Sequence, residues 1–461
     1  MAKKEIVDVH CHYFNVKFAL MEFAAITWNY IRGKYPRRKK SEPLKNDQAK
    51  SIREIADLKR LIRYVVNLID TATDSSIDQC DSETDAILRS FADFGDVNVI
   101  VAPLMMDIYF ALDDNRSEEA GKADGTIDYP LFEIEEREKE EFVAHLSAVE
   151  RELENEITAT KASPEKQAMM KKTLSSTLAG IAELMLVKDA VCKSRGYEMS
   201  PGFRYQLDTL KELIDSLAEQ TVQGPVVTVM PFLAVDPRRK GIMELIKEYV
   251  NEGKGHFKGI KLYPSLGYLP THRNLQEVYA YCSKHHVPIT VHCMGHGVEN
   301  GNKKIFVSSW LDNQGPGWMS FAADDAICQY FSDPKNWEGV FKVEDWQNAL
   351  RVNFAHFGGN DEKEISKAWR KKIASLMTDR NNVFADISSW VNPVFWGEIG
   401  ELIKDKPILQ ERLMFGTDYV IVITHPELDG DLKNYFDQYV YLNSAFLSGN
   451  ARNFLNLPGH V

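Results

Sequence analysis

The chain has 461 residues, of which 44% are hydrophobic and 26% are charged, as is typical of a globular protein with a substantial core. Its net charge of −12 argues against a nucleic-acid partner, because no basic surface dominates. We expect no membrane partner and a cytoplasmic location, since no apolar run could span a bilayer, no signal peptide precedes the first strand, and the six cysteines are sparse.

The first predicted element is a short strand over residues 5–12, where β-branched Ile6 and Val7 favour extended structure. Side chains alternate along a strand, so that His10 and His12 share one face and can reach a common metal ion. Two histidines also fall at this spacing by chance. The pair alone therefore leaves two interpretations open, a metal site or two ordinary polar residues at a strand end.

Two helical regions precede the repeating part of the chain. Residues 13–95 are predicted to be mostly helical and are followed by a strand over 98–104. Residues 108–222 are rich in Glu, Lys and Ala, and their apolar spacing predicts two antiparallel helices separated by Ser163-Pro164. We expect this region to be a helical insertion, which either packs on its own protein or serves as a partner-binding arm.

From residue 225 onward, apolar strands alternate with helical stretches. The strands are predicted at 226–230, 259–262, 288–292, 352–356, 383–387 and 413–418. Such strands, separated by helices, indicate a parallel sheet that is covered on its faces. With the two earlier strands they number eight, which favours a closed barrel over an open doubly wound sheet. We therefore predict an α/β fold, a distorted TIM-like (β/α)8 barrel that forms a single domain over residues 1–461.

Polar side chains end five of these strands, at the edge where the active sites of such barrels are built. They are His10 with His12, Lys261, His292, His356 and Asp418. Each has a simpler explanation alone, since a lysine can pair with a carboxylate, a buried histidine can be satisfied, and an aspartate can cap a loop. Their joint position at one end of the strands indicates a metal site.

The motifs HCH, GIKLYP, VHC, AHFGG and FGTD, in this order, resemble those of the amidohydrolase superfamily. The resemblance is greatest to its amidohydrolase-related branch (amidohydrolase 2), which contains metal-dependent hydrolases and decarboxylases. It covers residues 5–12 and about 225–456 and leaves the region 108–222 outside. It implies the barrel fold and a metal site, but it does not indicate a particular substrate.

The resemblance also implies roles for individual residues. The metal ligands would be His10, His12, His292 and Asp418. His356 would either polarise the substrate or bind a second metal, and Lys261 stands where some relatives carry a carboxylated lysine that bridges two metals. Three imidazoles and a carboxylate suit zinc or another borderline divalent ion, so we expect one divalent metal ion, with zinc as the first candidate, or two if the lysine is carboxylated. Asp8 faces the same way as the histidines and would either orient one of them or make a buried structural hydrogen bond.

Residues just past other strand ends complete the predicted pocket. Candidates for binding the substrate are Lys261, Tyr263, Arg238 and Trp390. Arg238 could bind a substrate carboxylate, and a solvated surface arginine is the alternative. Residues 296–350 form a long, tryptophan-containing connection, predicted either to close over the pocket as a lid or to pack on the barrel rim.

The predicted function is hydrolysis of a C–N or C–O bond in a small, carboxylated molecule through a metal-activated water. Asp418 and His356 are the predicted catalytic residues. Asp418 would move the proton of the water to the leaving group, and His356 would donate a hydrogen bond to the oxygen that gains charge. Two alternatives stay open, non-oxidative decarboxylation at the same site and a non-catalytic binding scaffold. Assembly into a homo-oligomer also stays open.

Overall fold

The structure is a computed structural model that describes most of the chain. The described residues are 4–12, 16–31, 66, 69, 97–109, 134, 136–186, 192–194, 197–218, 226–250, 255–297, 299–300, 304–311, 317–323, 325–390, 394–419 and 445–458. Of the helical region predicted over 13–95, they include the helix Val16–Ile31 and residues 66 and 69, and the rest of that prediction lies outside them.

Thirteen strands occur in the described residues. In chain order they are β1 Lys4–Cys11, β2 Val97–Pro103, β3 Cys192–Ser194, β4 Tyr197–Met199, β5 Val226–Val229, β6 Phe232–Val235, β7 Gly259–Leu262, β8 Ile289–Val291, β9 Lys304–Val307, β10 Gly317–Ser320, β11 Val352–Phe354, β12 Val383–Asp386 and β13 Leu413–Met414. Each of the eight strands predicted from the sequence overlaps one of them.

Ten α-helices lie in the same part of the chain, and several of them connect successive strands of the larger sheet. The helices are α1 Val16–Ile31, α2 Lys139–Thr158, α3 Pro164–Leu186, α4 Pro201–Ala218, α5 Ile242–Tyr249, α6 Leu275–His285, α7 Ala326–Phe331, α8 Glu364–Asp379, α9 Val394–Asp405 and α10 Asn450–Phe454.

Two parallel sheets form the centre of this mixed α/β fold. One has the strand order β1-β2-β5 and the other β13-β12-β11-β8-β7-β6. Backbone contacts join the smaller sheet to both edges of the larger one. Leu104, just after β2, bridges to Phe232 of β6, and Cys11 of β1 bridges to Tyr419, after β13. Because every pair within the two sheets is parallel, the C-terminal ends of these strands lie at one side.

The third strand predicted from the sequence is longer than expected and is divided into β5 and β6. Pro231 separates the two segments, and a proline has no backbone N–H for a sheet ladder. The first segment pairs with β2 and the second with β7, so that the chain passes from one sheet to the other at this proline.

The two helices predicted in the region 108–222 are present as α2 and α3, and they pack on α1. Phe142, Leu146 and Val149 of α2 share a buried apolar cluster with Phe23 and Trp28 of α1. The hairpin therefore covers an apolar face of α1 that would otherwise meet water. This contact favours the interpretation that the hairpin packs on its own protein over the interpretation that it is a partner-binding arm. The organisation of the chain as a single domain stays a prediction.

The region predicted as a lid contains regular structure. Strands β9 and β10 pair as an antiparallel hairpin, and α7 follows them. Trp337 is buried in the main core, where it lies 5.8 Å from the ring of Tyr279, and Trp310 packs against the same ring at 6.1 Å. These contacts match the alternative that the tryptophans pack on the body of the fold, and movement of the region as a lid stays a prediction.

Gly416 allows the segment after β13 to approach β1 closely. A Cβ atom at this position would lie 2.8 Å from the Cβ of His10 and 3.2 Å from the Cβ of Ser388. We predict that Gly416→Ala lowers the free energy of unfolding by about 1–3 kcal/mol, because both neighbours are buried and have to shift. Chemical denaturation measures this change. Gly400→Ala is the control, since nothing lies within 4 Å of its added Cβ, and equal stabilities of the two variants would contradict the prediction.

Candidate active site

The two histidines of β1 are buried and have different partners. His10 Nδ1 lies 3.2 Å from Asp386 Oδ2, at the end of β12. His12 Nδ1 lies 2.9 Å from the carbonyl oxygen of Leu104, which accepts a hydrogen bond. In both rings the Nδ1 edge is therefore held by an acceptor, and the Nε2 edge is turned to the other side.

Asp418 lies between the Nε2 atoms of both histidines. Its Oδ1 is 3.4 Å from His10 Nε2 and 3.4 Å from His12 Nε2, and its Oδ2 accepts a hydrogen bond from Ser389 Oγ. Burial acts to raise the pKa of Asp418, but His10 and the other histidines outweigh it and hold that pKa well below its usual range. Asp418 is therefore a carboxylate at neutral pH.

The remaining polar strand ends meet at the same place. The ring of His356 lies 4.6 Å from that of His10 and 5.1 Å from that of His292. The ring of Tyr263 stacks on His292 at 5.3 Å, and its hydroxyl lies 3.5 Å from His12 Nε2. The structure thus brings together residues as far apart in the chain as His10 and His356.

Lys261 is fully buried at this site. Its Nζ lies 4.7 Å from the centre of the Tyr263 ring and makes no hydrogen bond with any described residue. Burial lowers the pKa of Lys261 to about 7, although Asp386 and Asp418 act in the opposite direction. The side chain is therefore present in both charged and neutral forms near neutral pH.

The histidines are also affected by burial. Burial lowers the pKa of His12 to about 3 and that of His356 to about 4, and it lowers the pKa of His292 well below its usual value. Burial acts in the same direction on His10, but the Asp386 carboxylate outweighs it and raises this pKa. Three of the four imidazoles are neutral at pH 7, and the neutral form is the one that binds a metal.

Three polar residues that the sequence analysis did not select belong to the site, and all lie at the end of β12. Asp386 contacts the His10 ring, Ser388 contacts the rings of His10 and His356, and Ser389 contacts Asp418. Asp386 could have been recognised, because it is a polar residue that ends an apolar strand, the same signal that selected His292. Nothing local to the two serines indicated their contacts.

Asp8 makes the structural hydrogen bonds that were one of its two predicted roles. Its Oδ1 accepts bonds from the backbone N–H groups of His10 and Thr417, at 3.1 Å and 3.0 Å, and its Oδ2 accepts one from Thr417 Oγ1 at 2.6 Å. These bonds connect β1 to the segment after β13. Burial nevertheless raises the pKa of Asp8 to about 7.

Left-handed backbone conformations are concentrated here. His356, Phe357, Ser389 and Asp418 have φ values of 59°, 45°, 62° and 58°. Non-glycine residues in this region cost on the order of 1–3 kcal/mol each and persist where surrounding contacts hold them. Such strain is typical of residues whose side chains must point in a particular direction at a functional site.

Two predicted substrate-binding residues are engaged elsewhere. Arg238 is buried rather than solvated, and its Nε and Nη2 donate to the two oxygens of Asp236 at 2.8 Å and 2.6 Å. Trp390 is fully buried, and its indole N–H donates to the carbonyl oxygen of His356 at 3.0 Å. Trp390 thus supports His356, and substrate contacts of both residues stay predictions.

The cluster fits a divalent metal ion. His10, His356 and Asp418 offer ligand atoms that all lie within 4.8 Å of one another. The Nε2 atom of His292 is buried and makes no hydrogen bond with any described residue. A buried lone pair without a donor is costly unless something else occupies it, and imidazole nitrogen with carboxylate oxygen is a donor set that divalent ions accept.

Comparison with known proteins places this chain in a family. The Amidohydro_2 family model, described as amidohydrolase, matches residues 204–457, more than half of the chain. The chain is an amidohydrolase. It is accordingly a metal-dependent hydrolase that acts on small molecules through a divalent metal. The matched region contains Lys261, His292, His356 and Asp418, and it begins within α4, inside the region that was predicted as an insertion.

Two solved structures were found to be similar to this amidohydrolase. They are crystal structures of an amidohydrolase from Burkholderia multivorans, one with bound zinc and one with bound HEPES. They are 13% and 12% identical to this chain, cover 55% of it and 80% of their own length, and have a TM-score of 0.34. No curated protein sequence matches the chain significantly.

None of the described helices of this amidohydrolase combines the length and the apolar character that a membrane-crossing helix needs.

Proposed function

We propose that this amidohydrolase is a zinc-dependent hydrolase that cleaves a C–N or C–O bond of a small, carboxylated molecule. The observation that carries the proposal is the position of His10 Nε2 and His12 Nε2, each 3.4 Å from Asp418 Oδ1. Two imidazoles and a carboxylate that converge in a buried site are typical zinc ligands.

The proposed ligands of a single ion are His10, His12, His292 and Asp418. His292 is included because its Nε2 is buried without a hydrogen bond among the described residues, beside Tyr263, which itself contacts His12. When bound, the ion would lower the pKa of a water molecule towards ~7 and so supply a hydroxide nucleophile at neutral pH.

The chain's own residues then move protons and hold the substrate. Asp418 is ionised and accepts the proton of the attacking water, which it later passes to the leaving group. His356 belongs to the same cluster and would face the reacting oxygen. Lys261, in its charged form, pairs with the substrate carboxylate, and Tyr263 lies against it and shapes the pocket.

The fold that supports this site is inferred from the contacts between the two sheets. Bridges at Leu104–Phe232 and Cys11–Tyr419, together with the division of one strand at Pro231, support a ring of eight parallel units. We infer a distorted (β/α)8 barrel, organised as one domain with a helical insertion. A cytoplasmic location and a homo-oligomer stay predictions.

Metal removal tests the proposal directly. Purified protein should carry one tightly held divalent ion per chain, and a chelator should abolish turnover, which added zinc should restore. A screen of lactones, amides and aromatic acids in ¹⁸O-labelled water would identify the bond, because hydrolysis places the label in the product. Release of CO2 without net consumption of water would indicate decarboxylation, and a protein that binds no divalent metal even when supplied would disprove the proposal.

A further inference from the structure

Ser388 contacts two histidines of the site although the proposed reaction gives it no task. Its Oγ lies 3.1 Å from His10 Nδ1 and 2.9 Å from His356 Nδ1. The same oxygen lies 2.5 Å from Asp386 Oδ1. All four side chains are buried, so that water does not compete for these contacts.

The number of protons on this hydroxyl determines the direction of each bond. A serine hydroxyl has one proton to donate and two lone pairs that accept. At its shortest contact, Ser388 Oγ is the donor and Asp386 Oδ1 is the acceptor. The Ser388 proton therefore points to Asp386, because two facing lone pairs at 2.5 Å would repel each other.

The two lone pairs of Ser388 Oγ are then left for the histidines. Both His10 Nδ1 and His356 Nδ1 have to carry the proton of their hydrogen bond. The neighbouring contacts agree, since His10 Nδ1 also faces Asp386 Oδ2 at 3.2 Å and His356 Nδ1 faces the carbonyl oxygen of Ser388 at 3.4 Å. Neither the carboxylate oxygen of Asp386 nor the carbonyl oxygen of Ser388 donates a proton, so each accepts one from the ring nitrogen that faces it.

We propose that Ser388 is a positioning residue that holds His10 and His356 in the Nδ1–H tautomer. Each ring then presents the lone pair of Nε2 to the space beside Asp418. At His10, a proposed ligand, a neutral ring in the other tautomer would place a proton on the nitrogen that binds the metal. The metal-binding consequence rests on the proposed function, whereas the tautomer follows from the hydrogen bonds alone.

The two rings depend on Ser388 to different degrees. His10 Nδ1 has a second acceptor in the charged Asp386 carboxylate. The second contact of His356 Nδ1 is longer and is made to a neutral carbonyl oxygen, at the limit of hydrogen-bond distance. Removal of the hydroxyl should therefore release His356 and leave His10 largely in place.

Nitrogen NMR of the metal-free full-length protein, labelled with ¹⁵N-histidine, tests this inference. Long-range ¹H–¹⁵N spectra identify the protonated nitrogen of each neutral ring. We expect Nδ1–H for His10 and His356 in the unmodified protein. In Ser388→Ala, His356 should become a mixture of tautomers while His10 keeps Nδ1–H, and Ser388→Thr, which retains the hydroxyl, should preserve both.

Ser308→Ala is the matched control, because Ser308 is also buried and its hydroxyl makes no hydrogen bond with any described residue. It should give the unmodified spectrum at both rings. Zinc titration should show nearly unchanged affinity in all three variants, because His10 keeps its Nδ1 contact with Asp386 and His356 is not one of the four proposed ligands.

The inference fails if either ring of the unmodified protein lacks Nδ1–H, a result that needs no variant to fold. It also fails if Ser388→Ala leaves the His356 signals unchanged. Nδ1–H on both rings of a protein that never binds a divalent ion would support the tautomer assignment and disprove the proposed function.

Discussion

Asp418→Asn should lower turnover by about 10³-fold and weaken zinc binding at least about tenfold. The amide has the size of the carboxylate, but it neither carries the negative charge between His10 Nε2 and His12 Nε2 nor takes up a proton at neutral pH. Ser389 can still donate to the amide oxygen, so that the side chain should stay in place. The loss would therefore come from chemistry and charge rather than from misfolding.

Turnover and zinc content, measured on the same preparation, would show both effects of Asp418→Asn. Asp345→Asn makes the same chemical change at an exposed position and should leave both quantities unchanged. Substantial turnover of Asp418→Asn at full zinc occupancy would show that another group carries the proton.

His356→Asn should retain zinc and lose turnover by about a hundredfold or more, as expected for the loss of a residue that exchanges a proton with the reacting oxygen. The Nδ1–H tautomer leaves Nε2 with a lone pair, so neutral His356 would accept the proton of the attacking water from Asp418 and then pass it to the leaving group. This differs from the donor role that the sequence analysis assigned to it. Asparagine provides neither step at neutral pH, whereas the four proposed ligands remain.

The backbone at His356 permits a closely matched control. Its φ of 59° lies in the left-handed region, which asparagine adopts more readily than most residues. His286 has a φ of 53° and is exposed at the C-terminal end of α6, so His286→Asn repeats the substitution in the same backbone conformation. If His356→Asn loses zinc in step with its activity while His286→Asn keeps both, His356 is a metal ligand and a two-metal site with Lys261 has to be considered.

The sequence predicted the elements and the residues that end them, because both depend on local patterns. The strand over residues 5–12 is present as β1, and the apolar spacing of 142–157 corresponds to α2. Polar residues after apolar strands selected His292, His356 and Asp418, since parallel strands in one sheet bring their C-terminal ends to one side. The family resemblance added the metal, and the match over residues 204–457 confirms that family.

Only the tertiary structure decided which atoms these residues present to one another. The bond between His10 and Asp386 joins positions 376 residues apart, and no periodicity in the sequence links them. Likewise, the engagement of Arg238 by Asp236 and the burial of Trp390 against His356 depend on side-chain directions at the ends of strands. A hydrogen bond requires an alignment within a few tenths of an ångström, and packing across the sheets determines that alignment, whereas local sequence determines only the strand from which each side chain starts.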